Sequence, residues 1–103
     1  MPVTELRWAV APDGERLAYE VRAEEPNAPA LLALHGVLVG SSNWVHQVLR
    51  LPQLRWIVPH IRGHGQSPPP MPRQTIEEAA LDALAVLDAE GVERAVVLGN
   101  SLG

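Results

Sequence analysis

Cysteine is missing from all 103 residues, so neither a disulfide nor a thiolate metal site is available. Lysine is missing as well. All eight cationic side chains are arginine, and they gather in no basic stripe, so no nucleic acid partner is expected. No apolar run approaches the roughly 18 residues that a membrane-spanning helix needs. The start, Met1 to Val10, lacks the basic and apolar regions of a secretory signal, so the expected location is cytoplasmic. What is present is a chain that is 47% apolar and 19% charged, with a net charge of −4. That balance suits a packed core rather than a disordered segment. Residues 1–103 are expected to form one small domain or a portion of a larger one.

Leu6, Trp8 and Val10 alternate with Glu5, Arg7 and Ala9, and Leu17, Tyr19 and Val21 alternate with Arg16, Ala18, Glu20 and Arg22. Both runs have the period of half-buried strands, and Asp13-Gly14 between them predicts a tight hairpin turn. Ala30 to Gly36 is a short continuous apolar run, the pattern of a strand covered on both faces. Ser41 or Ser42 is expected to cap a helix over 43–51, with Trp44, Val48 and Leu51 on one stripe and Pro52 as its stop. Arg55 to Ile61 reads as a second buried strand. Thr75 and Glu78 have the spacing of a capping box and open the clearest helix in the chain. Its apolar face is read as Ile76, Ala80, Ala83, Leu84 and Leu87; Glu77, Glu78, Asp82 and Asp88 are assigned to a solvated face, and Gly91 to the C-terminal cap. Arg94 to Ser101 is a third buried strand. A hairpin followed by strands alternating with helices predicts an α/β fold with a parallel βαβαβ sheet and right-handed crossovers.

Gly99-Asn100-Ser101-Leu102-Gly103 matches the G-x-S-x-G pattern of a nucleophile elbow. A sharp turn from strand to helix crowds its backbone, so glycines belong at the flanking positions. The turn lifts a serine hydroxyl to the end of a helix, where developing negative charge is favoured.

Three stretches taken together resemble the α/β-hydrolase superfamily over nearly the whole chain. "LLALHGVLVGSSNW" resembles a strand ending in His-Gly with an oxyanion loop after it. "IVPHIRGHGQS" resembles the Asp-x-Arg-Gly-x-Gly-x-Ser loop, and "TIEEAALDALAVLDAEGVERAVVLGNSLG" the helix and strand that deliver the nucleophile. The resemblance implies sheet order 1-2-4-3-5 with further strands beyond the fifth, so that "AVVLGNS" is an exposed edge in this chain. It implies Ser101 as nucleophile and the N–H groups of Val37 and Leu102 as oxyanion donors. His35, Gly36, Gly99, Gly103, Arg62, Gly63 and Gly65 support the motifs. No cofactor or metal is implied. The expected substrate is a small-molecule ester or related acyl compound, since the family's epoxide hydrolases and dehalogenases carry aspartate at the nucleophile position. "GNS" also resembles the elbow of carbon–carbon bond hydrolases, which leaves such a hydrolase or a lyase as an alternative. A non-catalytic binding module on the same scaffold is another, because fold does not fix function.

His60 stands where the family's loop carries Asp, so the exchange is expected to alter the loop rather than the chemistry. In this family the triad runs Ser…Asp/Glu…His, and no residue follows Gly103. Of the four histidines, His35 is assigned to holding the oxyanion loop and His46 to a helix surface. His60 and His64 lack an acid arranged to orient them, and their spacing alone makes no metal site. The expectation is therefore the N-terminal portion of a longer hydrolase, inactive alone and completed by a missing C-terminal half or a complementing chain.

Overall fold

Residues 4–23, 25, 27–36, 40–67 and 74–100 are described by the structure, a computed structural model. The described elements are β1 (Glu5–Val10), β2 (Arg16–Arg22), β3 (Ala30–Leu34), a 3-10 turn (Ser41–Trp44), α1 (Val45–Arg50), β4 (Arg55–Pro59), α2 (Ile76–Ala89) and β5 (Val96–Gly99). The sheet order is β1-β2-β4-β3-β5, as the resemblance implies. β1 pairs antiparallel with β2 and β2 with β4, whereas β3 runs parallel to both β4 and β5.

The two apolar runs at the centre are covered on both faces. Leu32 of β3 and Ile57 of β4 join Tyr19, Val21 and Val86 beneath α2. Their neighbours Ala33, Trp56 and Val58 join Trp44 and Val48 on the opposite face, beneath α1. Alternate side chains of a strand point to opposite faces, so a strand with a helix on each side needs no polar period.

At the hairpin the turn is a three-residue loop, Pro12-Asp13-Gly14, closed by Gly14 N–H to the Ala11 carbonyl at 2.9 Å and Ala11 N–H to the Glu15 carbonyl at 2.8 Å. Gly14 has φ of +90°, which a side chain would strain. In β1 the faces are the reverse of a core-facing apolar set. Leu6, Trp8 and Val10 are exposed, and Ala9 is buried. Arg7 lies opposite Tyr19 and Ala9 opposite Leu17, so it is the Arg7-Ala9 face that meets α2. On the other face the Arg16 guanidinium covers the Trp8 ring at 4.4 Å from its centroid.

The helix expected over 43–51 begins instead as the 3-10 turn, and the N-cap positions fall on Gly40 and Trp44 rather than on Ser41 or Ser42. Trp44 and Val48 are buried as expected, but Leu51, at the C-cap before Pro52, is exposed. The Trp56 indole N–H donates to the Leu51 carbonyl at 2.9 Å, satisfying a backbone acceptor that the helix end leaves open. In α2 both bonds of the Thr75–Glu78 capping box form, at 3.0 and 3.1 Å. Gly91, at φ +67°, ends the helix. Its N–H bonds the Asp88 carbonyl and the Val92 N–H bonds that of Leu87, a Schellman closure.

The buried stripe of α2 is rotated from its expected position. Ala83, Val86 and Leu87 face the core, while Ile76, Leu81 and Leu84 are exposed. Asp82 therefore lies on the inner side, its side chain 14% exposed, rather than on a solvated face. β4 stops at Pro59, short of Ile61, and β5 spans only Val96–Gly99. All four β5 residues are exposed, against the buried strand read from the apolar run, because the strand lies at the edge position that the resemblance implies.

Candidate active site

Three strand ends and the loops after them form the carboxyl edge of the sheet: β3 into His35-Gly36, β4 into residues 60–67, and β5 into Asn100. The parallel register sets Leu34 beside Gly99, and Asn100 N–H donates to the Leu34 carbonyl at 3.1 Å. His35-Gly36 and Gly99-Asn100, far apart in sequence, are thus adjacent in space. Ser101, Leu102, Gly103 and Val37 lie outside the described residues.

His35 is fully buried and joins the first two strand ends. Nδ1–H donates to the Gly36 carbonyl at 2.9 Å, and Nε2 accepts the Ile61 N–H at 3.0 Å. Burial lowers its pKa, the Gly36 carbonyl pulls the other way, and nearby His64 and His60 add to the lowering. The ring is accordingly neutral and links Gly36 to Ile61. The His64 ring packs edge-on against it at 4.7 Å.

His60 departs from expectation by organising its loop. Nδ1 accepts the Gln66 N–H at 3.0 Å, and Nε2–H donates to Glu20 Oε2 at 2.8 Å. A carboxylate at this position could accept the same backbone N–H, so the imidazole substitutes for it there. An acid does orient His60, contrary to the sequence reading. Even so, both ring nitrogens are engaged, which leaves none to take a proton from a serine. Gly65 follows from this arrangement: at φ +51°, a Cβ there would lie 2.4 Å from His60 Nδ1. Gly63 turns the same loop at φ +85°. Ser67 is buried and pins the loop to β2, its Oγ accepting the Ala18 N–H at 2.9 Å.

Arg62 is the inner anchor of this loop, with its side chain 6% exposed. It forks onto Asp13 at 2.6 and 2.9 Å and onto Asp82 at 2.7 and 3.0 Å, tying the hairpin turn to α2. The hydrogen bond from Arg62 holds the Asp13 carboxyl down to about 2. Opposite the site, Glu90 accepts from Arg7, Arg55 and the Tyr19 hydroxyl. Burial acts to raise the Glu90 pKa, and these donors overcome it and hold the carboxyl below its usual range. Among the described residues no group of three His, Asp or Glu is arranged to hold a metal ion, and no helix is long and apolar enough to cross a membrane.

One residue that sequence reasoning missed connects two of the strand ends. Asn43 Oδ1 accepts the Gly36 N–H at 3.2 Å and the Asn100 side-chain amide at 2.9 Å. Glu20, Ser67 and Asp13 were missed in the same way. Their partners are 40, 49 and 49 positions distant, beyond the reach of any local period.

Over residues 29–103 the sequence matches the family described as alpha/beta hydrolase fold, and the chain belongs to that family. It is 34% identical over 87 residues to epoxide hydrolase A of Mycobacterium tuberculosis, covering 81% of this chain and 27% of that protein. It is 35% identical over 79 residues to the lipase LipV of the same organism, covering 76% of this chain and 30% of the lipase. The solved structure of a hydrolase from Pseudomonas aeruginosa superposes with a TM-score of 0.89 at 32% identity, over 96% of this chain and 37% of that one. The chain thus spans about a third of the length of these proteins.

Proposed function

We propose that the complete polypeptide hydrolyses carboxylic esters or related acyl bonds, with Ser101 as nucleophile and the N–H groups of Val37 and Leu102 as oxyanion donors. The observation that carries this reading is the adjacency of His35-Gly36 and Gly99-Asn100 at one sheet edge. These pairs immediately precede Val37 and Ser101 in the sequence. The likeness to a lipase supports an ester substrate. The likeness to an epoxide hydrolase supports the scaffold, while serine rather than aspartate at position 101 favours acyl transfer.

The Ser101 oxygen attacks the carbonyl carbon as its proton passes to a base, and two backbone N–H groups hold the oxyanion. The carbon–oxygen bond to the leaving alcohol then breaks and the alcohol takes up that proton. Water hydrolyses the acyl-serine by the same steps. The rings of His35 and His60 are committed to the loops, and this reading takes the base and its orienting acid from outside these 103 residues. They belong to the remainder of the polypeptide or to a complementing chain, and the isolated chain is inactive. The complete polypeptide should be labelled by a fluorophosphonate, and Ser101→Ala should abolish the labelling. Labelling that persists in the variant removes Ser101 from its role.

A further inference from the structure

We propose that Asn43 is a positioning residue that fixes the separation between the oxyanion loop and the nucleophile turn, through one carbonyl oxygen shared by Gly36 and Asn100. The proposal rests on the hydrolase reading above and assigns to it a residue outside all three motif stretches' glycine, histidine and serine positions.

The β3–β5 ladder ends at Leu34 and Gly99, with one further bond from Asn100 N–H to the Leu34 carbonyl. The ladder reaches no further toward His35-Gly36, so its bonds alone do not fix the spacing of Gly36 and Asn100. Asn43 Oδ1 spans them, accepting from Gly36 N–H at 3.2 Å and from Asn100 Nδ2 at 2.9 Å. Gly36 precedes Val37 and Asn100 precedes Ser101, so a shift at either arm is passed along one peptide unit to a group the reaction uses.

The residue carrying this oxygen is itself held firmly. Asn43 lies in the 3-10 turn, whose N-cap, Gly40, has φ +77° and ψ −173°, a conformation essentially confined to glycine. Asn43 N–H returns to the Gly40 carbonyl at 3.1 Å, and the next residue, Trp44, is buried against the core cluster of Val48 and Trp56. The carbonyl oxygen has two lone pairs and meets two donors, so its capacity matches the demand. Asn43 cannot follow one loop without moving the Trp44 anchor. It therefore transmits the position of the core to both arms.

Positioning errors near 1 Å cost on the order of a hundredfold in rate. In the complete polypeptide with p-nitrophenyl acetate, Asn43→Ala should lower kcat by about 10- to 100-fold with KM changed less than about threefold. Asn100→Ala removes one arm and should lower kcat by a smaller factor, about tenfold or less. Because both residues act through the same oxygen, the double variant should be no slower than Asn43→Ala alone. Thermal unfolding shows whether each variant is folded. If Asn43→Ala does not fold, Asn100→Ala decides, since Asn100 is exposed in this chain and its amide contributes one hydrogen bond to the pair. A folded variant with the parent's kcat overturns the proposal, and so do losses that multiply in the double variant. A parent polypeptide without turnover, or turnover that survives Ser101→Ala, overturns the hydrolase reading itself and the positioning role with it. The two failures are therefore told apart by the parent and Ser101→Ala controls.

Discussion

At the β1 side of the sheet, Arg7, Arg55 and Tyr19 converge on Glu90 while Arg62 joins Asp13 to Asp82. At the β5 side, Val96, Val97 and Leu98 face solvent, and the strand pairs with β3 alone among the described residues. The first edge is fastened by ion pairs centred on the buried Glu90 and Arg62 side chains, and the second is open and apolar among the described residues. Charged groups removed from water hold a geometry closely, because each must keep its partner to offset its desolvation. An open apolar edge has no such requirement and presents unpaired backbone groups to any strand that approaches. The proposed nucleophile turn continues from this second, less secured edge, and among the described residues Asn43 is what ties that edge to the α1 side.

The largest effect should come from breaking the fastened side. Arg62→Ala leaves the inward-facing Asp82 carboxylate without its fork and cuts the hairpin turn from α2. Removing one partner of a buried pair costs about 3 kcal/mol. Urea denaturation of the complete polypeptide should show a loss of that order, with part of it recovered in Arg62→Lys, which keeps charge but not the fork. A loss below about 1 kcal/mol would mean that water satisfies Asp82 as well as Arg62 does.

A pH titration of stability should separate the two regions by window. The His35 pKa is lowered from its ordinary 6.5, so the unfolded chain takes up that proton first as pH falls. Its contribution is whole above 6.5 and declines below it. Glu90 and Asp13 are lowered from 4.5 and 3.8, so their contributions are whole above those values and are lost in more acid solution. Thermal melts from neutral to acid pH should show two successive declines, and His35→Gln should flatten only the upper one. An upper window that survives in His35→Gln would assign it to another group.

Strand order, the hairpin, the capping box and the edge position of Val96–Gly99 were legible in the sequence, because each depends on a local period or on a family pattern. The errors at α2 and β1 share one cause. Counting apolar residues placed the α2 face on Ile76, Ala80, Ala83, Leu84 and Leu87, of which Ala83 and Leu87 do meet the core, but the inner side of that helix also receives Asp82 to meet Arg62 and ends at Glu90 to meet Arg7 and Arg55. A helix face chosen by ion pairs is rotated from the face chosen by hydrophobicity, and the partners are 20, 83 and 35 residues away. β1 fails for the same reason, since Arg7 and not Leu6 or Trp8 points at α2. His60 was read as a lost aspartate because its partners, Glu20 and Gln66 N–H, meet it only in the folded loop.

The smallest expected effect lies at the open edge, and it is the one that most sharpens the contrast. Val97 is 59% exposed at the middle of β5. If nothing else covers the strand, Val97→Lys changes stability by no more than about 0.5 kcal/mol, as for most surface substitutions. The added charge also opposes edge-to-edge pairing, so concentration-dependent association, read by light scattering, should fall. A loss of about 2 kcal/mol would instead be the cost of forcing a charge against apolar neighbours. Comparing the 103-residue chain with the complete polypeptide then locates those neighbours. A loss confined to the longer chain assigns them to the segment beyond these residues, and the β5 edge is closed there by apolar packing where the β1 edge is closed by charge.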